Sequence, residues 1–241
     1  MNNPHYTNTQ IDKLGGLLRN GPLTEDHLTQ LDGYRRSFAE AYEYVVSEIR
    51  GKLALEPTGR PAKSTTAIVD KLQRESIRLS QMQDIAGCRI IVPDIAAQDK
   101  ILNDLTKIFV LTAVDRRLKP SNGYRAVHAI VESKGKLVEI QLRTNIQHVW
   151  AEVSEKFADI IDPTIKYGGG TEEFRQYLSS SSTLIARVEE YETKIAFLAA
   201  HRGVDQKLVS EMRAEVQSIK LEIKKTADDA IEAVQQQGEI K

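Results

Sequence analysis

Cysteine is almost absent from this sequence, because Cys88 is the only one among 241 residues. A single thiol excludes an intramolecular disulfide and a zinc site built from several cysteines. No apolar run approaches the roughly 18 residues that cross a bilayer. The first ten residues, MNNPHYTNTQ, lack the basic and apolar regions of a secretory signal. We therefore expect a soluble cytoplasmic protein with no membrane partner.

An excess of positive charge is also lacking. The 33 lysines and arginines nearly balance the 34 aspartates and glutamates, for a formal net charge of −1. This balance disfavours a protein that binds nucleic acid through bulk charge, although a local basic cleft is compatible with it. Neither a Walker loop nor a GxGxxG motif is present, so P-loop and Rossmann nucleotide sites are unsupported. Hydrophobic residues make up 41% of the chain, which is enough for a folded core.

The hydrophobic period changes along the chain. Residues 1–22 are polar and glycine-containing and indicate a loose N-terminal arm, whereas Thr24 can cap a helix that continues to Leu53, and a second helix is expected from Ser64 or Thr65 to about Arg78. Strand patterns occupy 85–92, 109–114, 124–132 and 136–144, and two long helical patterns follow Gly168-Gly169-Gly170. We predict an α+β fold: a mixed, largely antiparallel sheet of about five strands flanked by helices, with long C-terminal helices. The predicted regions are an arm (1–22), a central α+β domain (23–167) and a helical hairpin (168–241).

The last two strand patterns flank Ser133-Lys134-Gly135 and predict a hairpin. Side chains alternate between faces along a strand, and residues paired across a hairpin share a face. A turn centred between Lys134 and Gly135 places His128 opposite Gln141. The side chains that this register brings to one face are Tyr124, His128, Glu139, Gln141 and Arg143. This combination of groups is typical of a binding or catalytic site, and a solvated strand face is the alternative.

A second carboxylate, Asp84, stands at the start of the strand DIAGCRIIV, where Gly87 permits close approach of a backbone or ligand. Asp84 and Glu139 together could hold Mg²⁺, which takes few carboxylates and keeps water and phosphate ligands. Basic residues that cluster upstream, the last three at helical spacing, are Arg60, Lys63, Lys71, Arg74 and Arg78. Cations near paired acids favour a polyphosphate site, and the alternative is a turn-capping aspartate beside a solvated helix face.

Three segments in this order, QDIAGCRIIV, NGYRAVH and VEIQLRT, resemble the synthetase domain of the RelA/SpoT family, and RPAK followed by DKL resembles its basic ATP-binding segment. The resemblance covers roughly residues 30–165, and the chain length is similar to that of small alarmone synthetases. It implies a nucleotidyltransferase-like fold and a GTP pyrophosphokinase. Such an enzyme transfers the pyrophosphate of ATP to the 3′-hydroxyl of GDP or GTP, making AMP and the alarmone (p)ppGpp.

The resemblance also implies roles for individual residues. Asp84 and Glu139 match the two acids of the family that hold Mg²⁺, and the second acid can also deprotonate the attacking hydroxyl. The residues that match the ATP side are Arg60, Lys63, Lys71 and Arg89, the last resembling an adenine-stacking arginine. The residues assigned to the acceptor side are Tyr124, which resembles a guanine-stacking tyrosine, and His128, Lys119, Gln141, Arg143 and His148.

The sequence departs from the family pattern on the acceptor side. Pro120 stands where the family usually has a lysine, and Lys119 is one residue earlier. His148 stands where some members have an asparagine that reads guanine. These departures concern the identity of the acceptor, because the residues that match the donor side and the metal pair are intact.

Two alternatives follow. A toxic relative would pyrophosphorylate the 3′ CCA end of tRNA, and other relatives make (p)ppApp. The residues that could lead tRNA to the site are Arg116, Arg117, Lys119 and Arg125. The second alternative is an inactive oligomeric scaffold, which the retained acids disfavour. In the enzyme, the C-terminal helices are expected to build a homo-oligomer, with a helical cap inside one subunit as the alternative.

Overall fold

A computed structural model describes residues 6–201 and 203–238. The helices and strands of these residues are, in chain order, α1 (Asn8–Asn20), α2 (Glu25–Arg36), α3 (Ala39–Leu53), β1 (Thr58–Arg60), α4 (Thr65–Arg74), β2 (Ala86–Val92), α5 (Ile95–Ile108), β3 (Leu111–Asp115), β4 (Val127–Ser133), β5 (Lys136–Thr144), α6 (Asn145–Ile160), α7 (Glu172–Ala200) and α8 (Gln206–Gly238). Two short 3-10 turns span Leu79–Gln81 and Ile165–Tyr167.

The predicted α+β class is confirmed. The five strands form one sheet in the order β1-β2-β5-β4-β3, and the long C-terminal helices α7 and α8 follow it in the chain. Strand β1 was not predicted, since its three residues show no apolar alternation. It pairs antiparallel with β2, Gly59 lying opposite Cys88. A Cβ on Gly59 would lie 2.3 Å from the carbonyl oxygen of Gly87, so this close pairing requires glycine.

The β4–β5 hairpin has the predicted two-residue turn. Lys134 and Gly135 both have positive φ, 52° and 69°, as a tight turn between right-twisted strands requires. The start of β4 was predicted wrongly, because the strand begins at Val127 and not at Tyr124. Tyr124 lies instead in a tight turn that Ser121 opens, with Asn122 and Gly123 at φ 52° and 87°.

The chain divides into two compact units that are interleaved in sequence. The first comprises the residues up to Ile90, Asp104–Val114 and His128–Gln141. The second comprises Ile91–Asn103, Asp115–Val127 and the residues from Leu142 onward. The linear division at residues 22/23 and 167/168 stays a prediction.

In the first unit, the loose N-terminal arm is a wrong prediction for residues 8–20, which form α1. Thr7 and Gln10 make a capping box at its start, and Ile11, Leu14 and Leu18 are buried. A Cβ on Gly15 would lie 2.7 Å from the Leu79 Cβ. The glycines that indicated a loop therefore include one that permits close packing.

Arg19, at the end of α1, binds the C-terminal end of α4 and the residues that follow it. Its Nε donates to the Leu72 carbonyl at 2.6 Å, and its Nη2 donates to the carbonyls of Glu75, at 3.2 Å, and Ile77. Helix α4 ends at Arg74. The expected continuous face of Lys71, Arg74 and Arg78 is therefore wrong, since Arg78 lies beyond the helix.

Other helix ends in the first unit follow their capping residues. Thr24 accepts a hydrogen bond from the amide of His27 and begins α2, as predicted. The single helix expected from Thr24 to Leu53 is divided at Ser37 and Phe38 into α2 and α3. Ser64 was one of the two predicted starts of the next helix. It caps α4 by accepting a hydrogen bond from the amide of Ala67.

The core of the second unit lies among α6, α7 and α8. Its buried residues include Trp150, Phe157, Ile185 and Ala227, and the indole nitrogen of Trp150 donates to the Leu178 carbonyl at 2.8 Å. Helices α7 and α8 pack on each other, which confirms the predicted helical hairpin. Among the described helices, none is both long and apolar enough to cross a membrane.

Candidate functional site

Asp84 is the centre of a charged cluster in the first unit. It lies in the turn that precedes β2. The Lys63 ammonium lies 2.7 Å from its Oδ2, and the Lys71 ammonium from α4 lies 2.9 Å from its Oδ1. The side chains of all three residues are only 20% exposed. The structure therefore brings together the predicted acid and two of the predicted ATP-site cations.

These cations keep Asp84 charged. Burial opposes ionisation, but the charges and hydrogen bonds of Lys63 and Lys71 outweigh it, so the pKa of Asp84 lies below its ordinary value. Lys63 is itself fixed, because its backbone amide donates to the Ile85 carbonyl at 2.6 Å. The cluster is a carboxylate already matched to two positive groups, which a phosphate or a metal ion can engage.

Glu139, on β5 in the first unit, is the second buried carboxylate, with 8% exposure. Its Oε1 lies 2.7 Å from His128 Nδ1, and its Oε2 accepts from Gln141 Nε2 at 2.7 Å. Burial and the charge of Asp84 raise its pKa, yet the bonds from His128 and Gln141 prevail and the pKa is lowered. Gln141 thus holds Glu139, and its predicted role in binding the acceptor stays a prediction.

The two carboxylates are close enough to act on each other, because the charge of Asp84 opposes ionisation of Glu139. Within the described residues, no group of three or more His, Cys, Asp or Glu side chains is placed to hold a metal ion. Two ionised carboxylates nevertheless fit Mg²⁺, which binds one or two such groups and takes water and substrate phosphate as its other ligands. The donor set of Asp84 and Glu139 is of this kind.

Arg60 and Arg89 share a face of the β1–β2 pair. Arg60 lies opposite Gly87, and Arg89 is two residues further along β2. A Cβ on Gly87 would lie 2.9 Å from the Glu139 carbonyl oxygen and 3.5 Å from the Glu139 Cβ. Gly87 therefore permits the predicted close approach, here of a backbone, and Glu139 lies on the same face as both arginines.

In the second unit, Tyr124 and Arg143 are in contact. The Tyr124 hydroxyl accepts from Arg143 Nε at 3.3 Å and from Nη2 at 3.2 Å. The guanidinium carbon lies 5.1 Å from the ring centroid of Tyr124. Arg143 is 4% exposed and supports the tyrosine, while its role as an acceptor ligand stays a prediction. The Trp150 ring is 6.3 Å from the Tyr124 ring, a contact that sequence periodicity did not indicate.

The second unit holds two more acceptor candidates. Lys119 is exposed in a loop. His148 is on α6, where its Nε2 lies 3.6 Å from the carboxylate of Glu152, one helical turn away. The acceptor role of both residues stays a prediction.

Two cations of the expected tRNA path are paired with acids. Arg125 forms an ion pair with Glu189 of α7. Arg117 donates to Asp115 and Asp99, each at 2.7 Å. Their side chains are 11% and 14% exposed. The path therefore offers less free positive charge than the sequence suggested. The sequence did not reveal these ion pairs, because the acidic partners are distant in sequence or follow no motif.

Comparison with known proteins adds a family assignment to this geometry. Residues 59–158 match the model of a region found in RelA and SpoT proteins. An uncharacterized protein of Mycobacterium tuberculosis is 30% identical over 173 residues, which are 68% of this chain. The chain spans 63% of the length of that relative.

Three solved structures share the fold. Small alarmone synthetase 1 from Bacillus subtilis is 25% identical with a TM-score of 0.56, covering 69% of this chain and 96% of that one. Its structure bound to its product pppGpp gives a TM-score of 0.57 at 22% identity, with 72% and 100% coverage. A GTP pyrophosphokinase family protein from Streptococcus pneumoniae gives 0.53 at 23% identity, with 72% and 94% coverage.

Proposed function

We propose that this chain, whose residues 59–158 match a region found in RelA and SpoT proteins, transfers pyrophosphate from ATP to the 3′-hydroxyl of GDP or GTP. The observation that carries the proposal is the pair of ionised, buried acids inside that segment. Asp84 is matched to two lysines, and Glu139 is held by a histidine and an amide. Phosphoryl-type transfer depends on such positioning and charge rather than on a covalent intermediate.

The donor side is formed by residues of the first unit. Asp84 and Glu139 would hold Mg²⁺, which supplies positive charge to the phosphate oxygens. Lys63 and Lys71, which pair with Asp84, would direct positive charge to the triphosphate of ATP. Arg60 and Arg89, on the face that carries Glu139, are assigned to the phosphates and the adenine. This arrangement neutralises the charge that develops on the leaving AMP.

Glu139 is assigned the proton of the acceptor hydroxyl. The 3′-oxygen attacks the β-phosphorus of ATP, the bond from that phosphorus to the α–β bridging oxygen breaks, and AMP leaves. The hydroxyl proton passes to a Glu139 oxygen and then to solvent. His128 and Gln141 fix both carboxylate oxygens at 2.7 Å, so the base keeps one orientation while it remains ionised at neutral pH.

A guanine nucleotide is the proposed acceptor, with Tyr124 stacking on the base. Arg143 supports this tyrosine through its hydroxyl, which leaves the ring as the recognising group. The Bacillus subtilis synthetase that shares this fold is described with pppGpp as its product. The pairing of Arg117 and Arg125 with acids favours a nucleotide over tRNA, which needs a continuous basic path.

One assay tests the proposal against its alternatives. Purified protein with Mg²⁺ and ATP labelled at the β-phosphate is given GDP, GTP, ATP or deacylated tRNA in parallel. We expect AMP and a labelled 3′-pyrophosphorylated guanosine nucleotide with GDP or GTP. Label on tRNA alone would establish the toxic relative, and label on an adenosine nucleotide alone would establish a (p)ppApp synthetase. No AMP with any acceptor would leave the inactive scaffold.

We also propose that the C-terminal helices join copies of this chain. Large apolar side chains are exposed along both of them, namely Leu184, Tyr191, Phe197, Leu208 and Leu221, at 43–63%. A row of this kind favours burial against another surface. Light scattering is expected to give a mass of two or more chains, and a Leu221→Glu variant a smaller one. A monomeric wild-type chain would contradict this assembly.

A further inference from the structure

A buried polar network joins α7 to the turn that carries Tyr124. Glu189 is 5% exposed, and its Oε2 accepts from Arg125 Nε at 3.0 Å and from Arg125 Nη2. Its Oε1 accepts from Gln147 Nε2 at 2.6 Å. Arg125 is the residue directly after Tyr124, so a carboxylate 64 residues away in sequence holds the side chain of the residue next to the stacking tyrosine.

The network continues beyond Gln147 through fully buried groups. Gln98, from α5, donates to Gln147 Oε1 at 2.9 Å and to the Leu142 carbonyl at 2.8 Å. Gln147 Oε1 also accepts from the amide of Thr144, which caps α6. Gln98 and Gln147 are 0% and 1% exposed. Each buried polar group thus has a partner, which fixes one arrangement because an unpaired member would be costly.

Helix α7 holds the same turn at a second point. Gly123, at φ 87°, would place a Cβ 2.8 Å from the Trp150 ring, 3.3 Å from the Leu178 carbonyl oxygen and 3.3 Å from the Ser182 Cβ. The residues on both sides of Tyr124 are therefore fixed, one by packing and the other by the Arg125–Glu189 ion pair. The Tyr124 ring itself contacts Arg143 and Trp150.

We propose that Glu189 is a positioning residue for the acceptor, acting through Arg125 on Tyr124. The proposal rests on the proposed function, since it concerns how that reaction selects its acceptor. Helix α7 begins at Glu172, after the segment that matches the family model. A helix outside the catalytic segment thus determines the orientation of the base-stacking side chain. A buried ion pair often adds little stability compared with apolar residues, and here it fixes position.

Glu189→Gln tests this assignment, with Glu190→Gln as the matched control. Glu190 is the adjacent residue and pairs with Lys194 on the exposed face of α7. We expect Glu189→Gln to raise the KM for the guanine nucleotide about tenfold, because small misplacements of a binding group have large effects. The KM for ATP should change less than about twofold, and Glu190→Gln should match wild type for both substrates.

A second variant and a binding measurement separate the possible outcomes. Arg125→Lys keeps the charge but loses the paired N–H donors, so its acceptor KM should also rise selectively; it decides the question if Glu189→Gln does not fold. Calorimetric GDP affinity should weaken by the same factor as the KM rises. A folded Glu189→Gln protein with unchanged acceptor affinity, or with equal losses for ATP and GDP, would overturn the inference. An inactive wild-type chain that binds no GDP would instead refute the proposed function.

Discussion

The Asp84 cluster of the first unit and the Tyr124 turn of the second show two ways to hold a functional side chain. The side chains of Asp84 and its lysines are 20% exposed, and we propose that their ion pairs exchange for substrate phosphate or metal. The side chains of Arg125 and Glu189 are 11% and 6% exposed, and their bonds continue into a buried network. We propose that the first arrangement provides charge for binding a ligand, whereas the second keeps the Tyr124 ring in position.

Glu139→Gln should have the largest effect, because it would remove the chemical step proposed for the first unit and leave the Tyr124 turn of the second unit intact. It removes the proposed base while keeping the size of the side chain, so we expect turnover to fall at least about 100-fold with ATP still bound. Label transfer and ATP titration measure the two quantities. Glu132→Gln, on an exposed position of β4, is the control and should keep wild-type turnover. Near-normal turnover of Glu139→Gln would refute the assigned role.

Tyr124→Ala should sharpen the comparison by affecting the acceptor alone. Base–aromatic stacking contributes about 1–3 kcal/mol, which corresponds to an increase of roughly 5- to 150-fold in the acceptor KM. Tyr124→Phe keeps the ring and loses only the hydroxyl that accepts from Arg143, so its KM should change less than about threefold. Steady-state kinetics with each substrate varied decide the matter, and equal losses for ATP and GDP would contradict the placement.

Acid should weaken the first unit through Asp84. The pKa of Asp84 is lowered in the folded state against the opposing effect of burial, mainly by the charges of Lys63 and Lys71. Its ionisation therefore stabilises the protein above the unfolded pKa of about 3.9, and this stability is lost as pH falls through the folded pKa. In Lys63→Met the pKa is lowered less, so the free energy of unfolding should change less between neutral and acid pH.

Urea denaturation at pH 7 and near pH 3 measures this difference. At pH 7 the Lys63→Met variant should be destabilised by about 1–3 kcal/mol, the range for losing a charged hydrogen bond. Lys52→Met, which removes an exposed pair with Glu48, is the control and should retain the wild-type pH dependence. A Lys63→Met protein with the full wild-type acid sensitivity would show that the ion pair does not hold the Asp84 charge.

The smallest expected signal is the reactivity of Cys88. Burial, and to a lesser degree the charge of Glu139, raises the pKa of this thiol to about 12, and its exposure is 3%. Since the thiolate is the reactive form, the native protein should resist alkylation at pH 8 and react fully once unfolded. Rapid labelling of the folded chain would show that the interior beside Glu139 is open to water.

Much of the first site could be predicted from sequence. The two-residue turn at Lys134 and Gly135 sets the hairpin register, and this register brought His128 and Gln141 to Glu139 as expected. Strand alternation is a local rule, so a short motif is enough to apply it. The same rule failed for Tyr124, because a tight turn and not a strand precedes Val127.

Other errors arose where local signals and packing disagree. Glycines near the N-terminus suggested a loose arm, yet Gly15 allows α1 to pack against Leu79. The basic spacing from Lys71 to Arg78 suggested one helix face, yet α4 ends at Arg74. In both cases the local sequence does not show which residues will be in contact in the folded chain, and tertiary contacts override local preference.

The sequence by itself determined the α+β class and the hairpin register, and it identified Asp84 and Glu139 as the candidate acids of the site. Each of these follows from periodicity, turn chemistry or an ordered motif. Only the tertiary structure decided that Lys63 and Lys71 neutralise Asp84, that Gln141 serves Glu139 and that Glu189 holds Arg125. The physical reason is that ion pairs and buried hydrogen bonds depend on distance in space, which separations such as the 64 residues between Arg125 and Glu189 do not reveal.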